Sequence, residues 1–125
     1  MKKTKMLKKN YEFKNVLEKR NCYVGKYLEI FVKKNKNSES YIGIAVSKKI
    51  ANSVERNRIK RYIRESYKNI EENILDGYSL VIIWKKKIEV KSANYHGINK
   101  DLYNILNKAK LLVKKEEIWK KFLYS

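Results

Sequence analysis

The fold of this chain is decided by Arg56-Asn57-Arg58-Ile59-Lys60-Arg61-Tyr62-Ile63-Arg64-Glu65, a basic stretch that also carries an apolar rhythm. At about 100° per residue, one side of a helix is lined by Ile59, Ile63, Tyr67 and Ile70. The cationic side chains occupy a broad arc that lies mostly opposite. We therefore predict an ordered helix over about 54–70, with its apolar stripe in a core and a positive face in water. A cationic face on a rigid support holds a phosphate backbone in a fixed register.

Weaker signals on both sides of this helix predict the other elements. Their order is helix 10–19, strand 23–32, strand 41–46, the basic helix, strand 78–84, a helix over 92–113 and a short helix over 116–124. Asn10 and Ser92 are the expected helix caps. Gly25 predicts a bulge or bend, with a short extra strand near Cys22.

This order predicts one α+β domain over residues 1–125, a small sandwich with helices packed on a mixed sheet. The basic helix connects two strands that can lie in the same sheet. The default for such a crossover is right-handed.

The composition points to a polyanionic partner. The chain has 31 Lys and Arg against 13 Asp and Glu, a formal net charge of +18 that would repel itself in the folded state. The longest apolar run, Leu80-Val81-Ile82-Ile83-Trp84, is far short of the roughly 20 residues that a membrane span needs. No apolar segment follows the N-terminal lysines, so we expect no secretory signal. The lone Cys22 fits a reducing cytoplasm.

The sequence offers little catalytic chemistry. Its single histidine, His96, and its single cysteine are far apart, so they predict no zinc site. Two acidic residues that are adjacent in the sequence point about 100° apart on a helix, so such a pair forms no obvious two-carboxylate site. No glycine-rich phosphate loop or nucleophile motif is present. The sequence therefore predicts a binding protein without catalytic residues or a metal of its own.

An ordered set of motifs resembles the bacterial ribonuclease P protein subunit. The most specific is Ala51-Asn52-Ser53-Val54-Glu55-Arg56-Asn57-Arg58-Ile59-Lys60-Arg61-Tyr62-Ile63-Arg64-Glu65. It follows Ile42-Gly43-Ile44-Ala45-Val46-Ser47-Lys48-Lys49, which is similar to the family's strand and Ser-Lys-Lys loop. Residues 7–16 resemble its first helix, and residues 92–112 resemble its last long helix more loosely.

The resemblance implies the protein subunit of an RNA-based endoribonuclease of the cytoplasm. In that family a large RNA is the catalyst, and Mg²⁺ on the RNA drives cleavage. The protein binds the catalytic RNA and holds the single-stranded 5′ leader of precursor tRNA in a cleft. The family fold has an unusual left-handed crossover through the basic helix, which conflicts with the right-handed default.

The resemblance also assigns roles to residues of this chain. The predicted leader-binding residues are Phe13, Leu17, Phe31, Lys60 and Arg64. Many relatives have phenylalanine where this chain has Leu17, so we expect apolar contact there, not stacking. The predicted contacts with the catalytic RNA are Lys48, Lys49, Arg56, Asn57, Arg58 and Arg61.

Two other functions remain open on the sequence alone. A ribosomal or other structural RNA-binding protein would have a similar composition, and only the ordered motifs favour ribonuclease P. A DNA-binding protein would use residues 54–70 as a recognition helix, but residues 41–46 before it read as a strand and not as a partner helix. We expect ribonuclease P RNA and precursor tRNA as partners, and neither DNA nor a membrane.

Overall fold

The computed structural model describes residues 1–113, so the predicted helix over 116–124 lies outside the described residues. The strands are β1 Thr4–Met6, β2 Cys22–Val24, β3 Leu28–Lys34, β4 Ser40–Ala45 and β5 Tyr78–Trp84. The helices are α1 Asn10–Leu17, α2 Ser53–Ile70 and α3 Tyr95–Lys108. The strands form a mixed sheet in the order β1-β4-β5-β3-β2, in which β4 runs parallel to β1 and β5. The predicted α+β fold, with helices on a mixed sheet, is confirmed.

The helices cover opposite faces of the sheet because side chains alternate along each strand. Ile42 and Ile82 point to one side, where they share a buried cluster with Ile59 of α2 and Leu102 of α3. We call this side the α2 face. Val81, between Leu80 and Ile82 in β5, points to the other side and packs with Val16 of α1. We call that side the α1 face.

The basic helix forms where its pattern predicts, one residue earlier at its start. The Asn52 side-chain oxygen accepts the Glu55 N–H at 2.8 Å, and the Glu55 carboxylate accepts the Asn52 N–H at 3.0 Å. This reciprocal pair satisfies two donors that a helix start leaves unpaired. The side chains of Ile59 and Ile63 are fully buried. Burial of the apolar stripe therefore fixes which side of α2 faces solvent.

The crossover from β4 through α2 to β5 is left-handed. Ile42 points towards α2, and its carbonyl accepts the Leu7 N–H at 2.8 Å, next to β1. On a strand of L-residues that runs upward, a residue pointing at the viewer directs its N–H and C=O to the right. Seen from α2, β1 thus lies to the right of β4, and β5 lies to the left of β4. With α2 in front of the sheet, the chain therefore moves to the left from β4 to β5, which is a left-handed crossover. The right-handed default is wrong here, and the handedness implied by the resemblance is confirmed.

The strand predicted over 23–32 is divided at Gly25, where a bend was expected, and the short extra strand expected near Cys22 is β2. β2 and β3 pair antiparallel around a turn that includes Gly25. The buried Asp101 carboxylate of α3 accepts the N–H groups of Lys26, Tyr27 and Leu28 at 2.7, 2.9 and 2.9 Å. A Cβ on Gly25 would collide with Asp101 Oδ1. The glycine that suggested a bend is therefore required by a carboxylate from a distant helix.

Helix α1 does not use Asn10 as its cap. Asn10 is the first helical residue, and the Glu12 carboxylate accepts the N–H groups of Lys8 and Lys9 at 3.0 and 2.8 Å. These two hydrogen bonds lower the pKa of Glu12. The start of the helix is thus stabilised by an acidic side chain in the first turn, and not by the predicted asparagine cap.

Helix α3 starts later than predicted and ends earlier than predicted. Ser92 closes a short 3₁₀ turn, and the true cap is Asn94, whose side chain accepts the Gly97 N–H at 2.7 Å. The helix ends at Lys108, five residues before the predicted end at 113. Ser92 and Asn94 are both good caps, so the sequence did not distinguish them.

Strand β1 was not predicted and is held by Glu71, just after α2. The buried Glu71 carboxylate accepts the N–H groups of Lys2 and Thr4 at 3.0 and 3.1 Å. Burial acts to raise the pKa of Glu71, but the hydrogen bonds from Thr4, Lys2 and Lys3 outweigh it and the pKa is lowered. The Tyr67 hydroxyl forms a hydrogen bond with Thr4 Oγ1 at 2.9 Å. Burial raises the pKa of Tyr67 to about 12.

Candidate RNA interface

On the α1 face, a hollow of about 730 Å³ opens beside the C-terminal end of α1. We call it the basic hollow, and its lining residues are Leu17, Arg20, Glu29, Phe31, Ile83, Trp84, Lys85, Lys86 and Lys87. Phe31 and Ile83 come from the sheet and are half-buried, so they offer an apolar surface. Four cationic side chains face one carboxylate, that of Glu29. The structure thus brings two predicted leader-binding residues, Phe31 and Leu17, into one positively charged hollow.

Phe13 lies on the same face but does not line the hollow. Its half-buried ring packs over Gly43 of β4, where an added Cβ would lie 2.6 Å from a ring carbon. Gly43 therefore lets α1 sit close to the sheet. Phe13 contributes to that packing and so fixes the position of α1, from which Leu17 reaches the hollow.

The lysines of the hollow stand on a rigid turn after β5. The turn is closed by a hydrogen bond from the Ile88 N–H to the Lys85 carbonyl at 3.1 Å. The buried Trp84 indole N–H donates to the Ile88 carbonyl at 2.9 Å. The Lys85 ammonium donates to the Gly25 carbonyl at 3.1 Å. Lys86 and Lys87 are exposed, so their charges face solvent at the rim of the hollow.

The predicted Ser-Lys-Lys loop lies at the same end of the sheet as this turn. β4 and β5 are parallel neighbours, so their carboxyl ends share one edge. Lys48 and Lys49 follow β4 and are exposed, and α2 starts just after them. The loop, the start of α2 and the lysine turn therefore form a continuous cationic end of the sheet.

Two of the predicted RNA-binding arginines are partly engaged by the protein itself. Arg58 is half-buried and donates from one terminal nitrogen to the Val90 carbonyl at 3.1 Å. Its Nε is buried without a hydrogen-bond partner among residues 1–113. Arg56 donates to the Ala51 carbonyl at 2.9 Å. Arg58 thus ties α2 to the segment after β5, in addition to any contact with RNA.

The other predicted residues of α2 point away from the basic hollow. Asn57, Arg61 and Arg64 are exposed, and Lys60 is half-buried. Because α2 covers the opposite face of the sheet, Lys60 and Arg64 do not share a wall with Phe31.

Comparison with known proteins identifies the family. Residues 1–110 match the family model described as Ribonuclease P. The Ribonuclease P protein component of Clostridioides difficile is 37% identical over 112 residues, covering 89% of this chain and 96% of the relative. The chain belongs to the bacterial ribonuclease P protein family. This membership favours ribonuclease P over the ribosomal and DNA-binding alternatives, and it implies an RNA partner in a ribonucleoprotein endoribonuclease.

Solved structures of ribonuclease P proteins agree with the fold. The Staphylococcus aureus RNase P protein superposes with a TM-score of 0.76 at 30% identity, over 86% of this chain and 96% of that one. A second S. aureus structure, also with a TM-score of 0.76, is of a mutant described as having defective mRNA degradation activity. The Thermotoga maritima RNase P protein has a TM-score of 0.73 at 24% identity, which supports the fold alone.

Three cations that line the basic hollow together with Phe31 were not predicted as site residues. They are Arg20, Lys86 and Lys87. A signal was present, because a lysine run directly follows an apolar central strand, and ligands bind at the carboxyl ends of parallel strands. The chain is rich in lysine, so a lysine run does not stand out in this sequence.

Two further findings concern residues 1–113 of this ribonuclease P protein. In this range no three or more His, Cys, Asp or Glu side chains are grouped to hold a metal ion. No helix in the same range is long and apolar enough to cross a membrane.

Proposed function

We propose that the chain binds the catalytic RNA of ribonuclease P and the 5′ leader of precursor tRNA, and so assists endonucleolytic removal of the leader. The observation that carries this proposal is the basic hollow, where Phe31 lies beside cationic side chains in a member of this family. Aromatic rings next to positive charge are the usual means of binding single-stranded RNA. The leader is the single-stranded part of the substrate.

In the proposed complex the leader lies in the basic hollow. One base stacks on Phe31, and Leu17 adds an apolar contact. Arg20, Lys86 and Lys87 face the phosphates around it. Any base has a face to stack and every nucleotide has a phosphate, so we expect tolerance of leader sequence.

The remaining predicted leader contacts have supporting places in this scheme. Phe13 acts by seating α1 on the sheet, with its ring edge as a further contact. Lys60 and Arg64 hold the part of the RNA strand that has passed around the cationic end of the sheet. This route joins the hollow to α2 without moving either helix.

The catalytic RNA binds at the cationic end of the sheet and along the solvent side of α2. Lys48, Lys49, Asn57 and Arg61 are exposed there, and the three cations among them form no ion pair within the described residues. Arg56 and Arg58 each use one terminal nitrogen in the fold and keep further N–H groups for phosphate. We place the Mg²⁺ that drives cleavage on the RNA, and the protein in the cytoplasm with it.

Reconstitution tests this function directly. The protein is added to ribonuclease P RNA at a Mg²⁺ concentration too low for the RNA alone, and precursor tRNA cleavage is measured. We expect cleavage at the mature 5′ end, and we expect the double variant Lys86→Gln/Lys87→Gln to lose part of the stimulation. Tyr103→Leu, exposed on α3 away from these sites, is the matched control. No stimulation by a folded wild-type protein would overturn the proposal.

We also propose that the protein alone does not cleave RNA, although one S. aureus relative is associated with an mRNA degradation activity. The proposal follows from the sparse acid–base chemistry of the sequence. The test incubates rigorously purified protein with a labelled mRNA and with precursor tRNA. Cleavage that co-purifies with the wild type and is lost in a single-residue variant would refute it.

A further inference from the structure

An exposed aromatic cluster lies on the α2 face, on the side of the sheet away from the basic hollow. It is built from Arg61 and Tyr62 of α2 and from Tyr95 and His96 at the start of α3. The Arg61 guanidinium lies over the Tyr62 ring, 5.8 Å from its centre. The Tyr62 and Tyr95 rings meet edge to face at 6.3 Å, and Tyr95 and His96 do so at 6.0 Å. We call these four residues the α2–α3 cluster.

The cluster is rigid but not buried. Tyr62 and Tyr95 are half-buried, and Arg61 and His96 are exposed. The Asn69 side chain of α2 donates a hydrogen bond to the Tyr95 hydroxyl, so the ring is fixed from both helices. Fixed aromatic rings lose little conformational entropy when a ligand binds. Tyr62 also packs against the buried core, so the rings of the cluster that a base can reach are the exposed His96 and the solvent side of Tyr95.

The charge around the cluster suits a nucleic acid. Arg61 belongs to the cluster itself, and the positive arc of α2 continues from it. The carboxylate of Glu65 lies one turn further along α2, and it is offset by Lys68, whose ammonium is 3.7 Å away. An aromatic platform with an adjacent guanidinium is a stacking site for an unpaired base.

We infer that the α2–α3 cluster stacks an unpaired nucleotide of the catalytic RNA. This inference rests on the proposed binding of that RNA along α2. The catalytic RNA is the occupant because Arg61 joins the cluster directly to the proposed phosphate contacts of α2. The leader, by contrast, occupies the hollow on the other face of the sheet.

The test measures the affinity of the full chain for ribonuclease P RNA over a range of salt concentrations. Tyr95→Leu and His96→Ala remove rings, Tyr95→Phe keeps the ring, and Tyr103→Leu removes an exposed tyrosine of α3 outside the cluster. Stacking is worth roughly 1–3 kcal/mol per base, so Tyr95→Leu should weaken binding by about 5- to 150-fold. The slope of log affinity against log salt should not change, because stacking releases no counterions. Tyr103→Leu should bind like the wild type, and Tyr95→Phe, which keeps the ring but loses the Asn69 hydrogen bond, should lose much less affinity than Tyr95→Leu.

Each possible result decides the inference. If wild type binds the RNA and folded Tyr95→Leu binds equally well, the cluster is not a stacking site. A loss confined to precursor tRNA binding by the assembled holoenzyme would assign the cluster to the substrate and overturn the inference. If Tyr95→Leu does not fold, His96→Ala decides, because its exposed ring contributes little to the core. No binding by the wild type would instead refute the proposed function.

Discussion

Replacing Phe31 with leucine should separate leader binding from stability. Phe31 is half-buried on β3 and packs with the small apolar cluster under α1. Leucine keeps most of the apolar volume, and such swaps usually cost less than about 1.5 kcal/mol of folding free energy. The flat ring is lost, however, and stacking is worth roughly 1–3 kcal/mol. We therefore expect precursor tRNA to bind about 5- to 150-fold more weakly.

The assay compares dissociation constants of the assembled holoenzyme for precursor tRNA and for mature tRNA, which has no leader. Phe31→Leu should weaken only the precursor, and the thermal midpoint of the protein should change little. Ile83→Leu is the matched control, since Ile83 also lines the hollow but has no ring to stack. It should leave both constants unchanged.

Three results would refute this reasoning. Equal losses for precursor and mature tRNA would mean that Phe31 supports the structure and does not touch the leader. An unchanged precursor affinity in a folded variant would mean that the leader does not lie in the basic hollow. An equal loss of precursor affinity in Ile83→Leu would mean that the shape of the hollow, and not stacking on Phe31, determines leader binding.

Four further variants test the charges described above. Arg61→Ala should reduce the slope of log affinity against log salt for the catalytic RNA by about one. Arg58→Ala should also lower the thermal midpoint of the protein, because Arg58 donates a hydrogen bond to the Val90 carbonyl. Equal thermal midpoints for Arg58→Ala and the wild type would contradict this. Asp101→Asn should destabilise the protein by about 1–3 kcal/mol in urea, because the buried carboxylate accepts three backbone N–H groups, and a neutral result would show that the turn holds itself. Glu71 has a lowered pKa in the fold, so its stabilising effect is present above the ordinary pKa of 4.5 and is lost as the pH falls through the folded pKa. Glu71→Gln should therefore be less stable than the wild type at pH 7, and this difference in stability should shrink in acid. A difference in stability that is independent of pH would refute this prediction.

The sequence predicted elements best where local signals agreed. α2 combines an apolar stripe, an Asn52–Glu55 capping pair and no proline, so every local signal favours the same helix. β5 is a continuous apolar run and was predicted with its observed bounds, 78–84. These elements need little information from the rest of the chain.

Prediction failed where a distant residue supplies the stabilisation. β1 has three residues, two of them polar or charged, and no apolar period of its own. It is ordered by Glu71, which lies 67 positions from Thr4. The bend after β2 was predicted from Gly25, but the residue that holds it, Asp101, lies 73 positions from Leu28 and was not. Spacing along the sequence carries no trace of either contact.

The candidate site was predicted in part for a similar reason. The arc of α2 showed which side chains face solvent, and the resemblance supplied Phe31 and Leu17. Neither revealed that Lys86 and Lys87 lie beside Phe31, because that depends on the order of the strands in the sheet. The helical arc also gave no sign that Arg58 is held by a carbonyl 32 positions away.

The left-handed crossover explains why the basic hollow is open. With the same strand order and directions, a right-handed connection would carry α2 across the other face of the sheet, where Phe31 and Ile83 lie. An 18-residue helix is about 27 Å long and would cover them. Among residues 1–113, the only helix on that face is α1, which has eight residues and is about 12 Å long. The uncommon handedness therefore leaves an apolar sheet surface exposed while α2 still starts at the same end of the sheet as the lysine turn. In the proposed complex one face can then hold a single strand of RNA, while the exposed cationic side of α2 meets a second RNA on the other side.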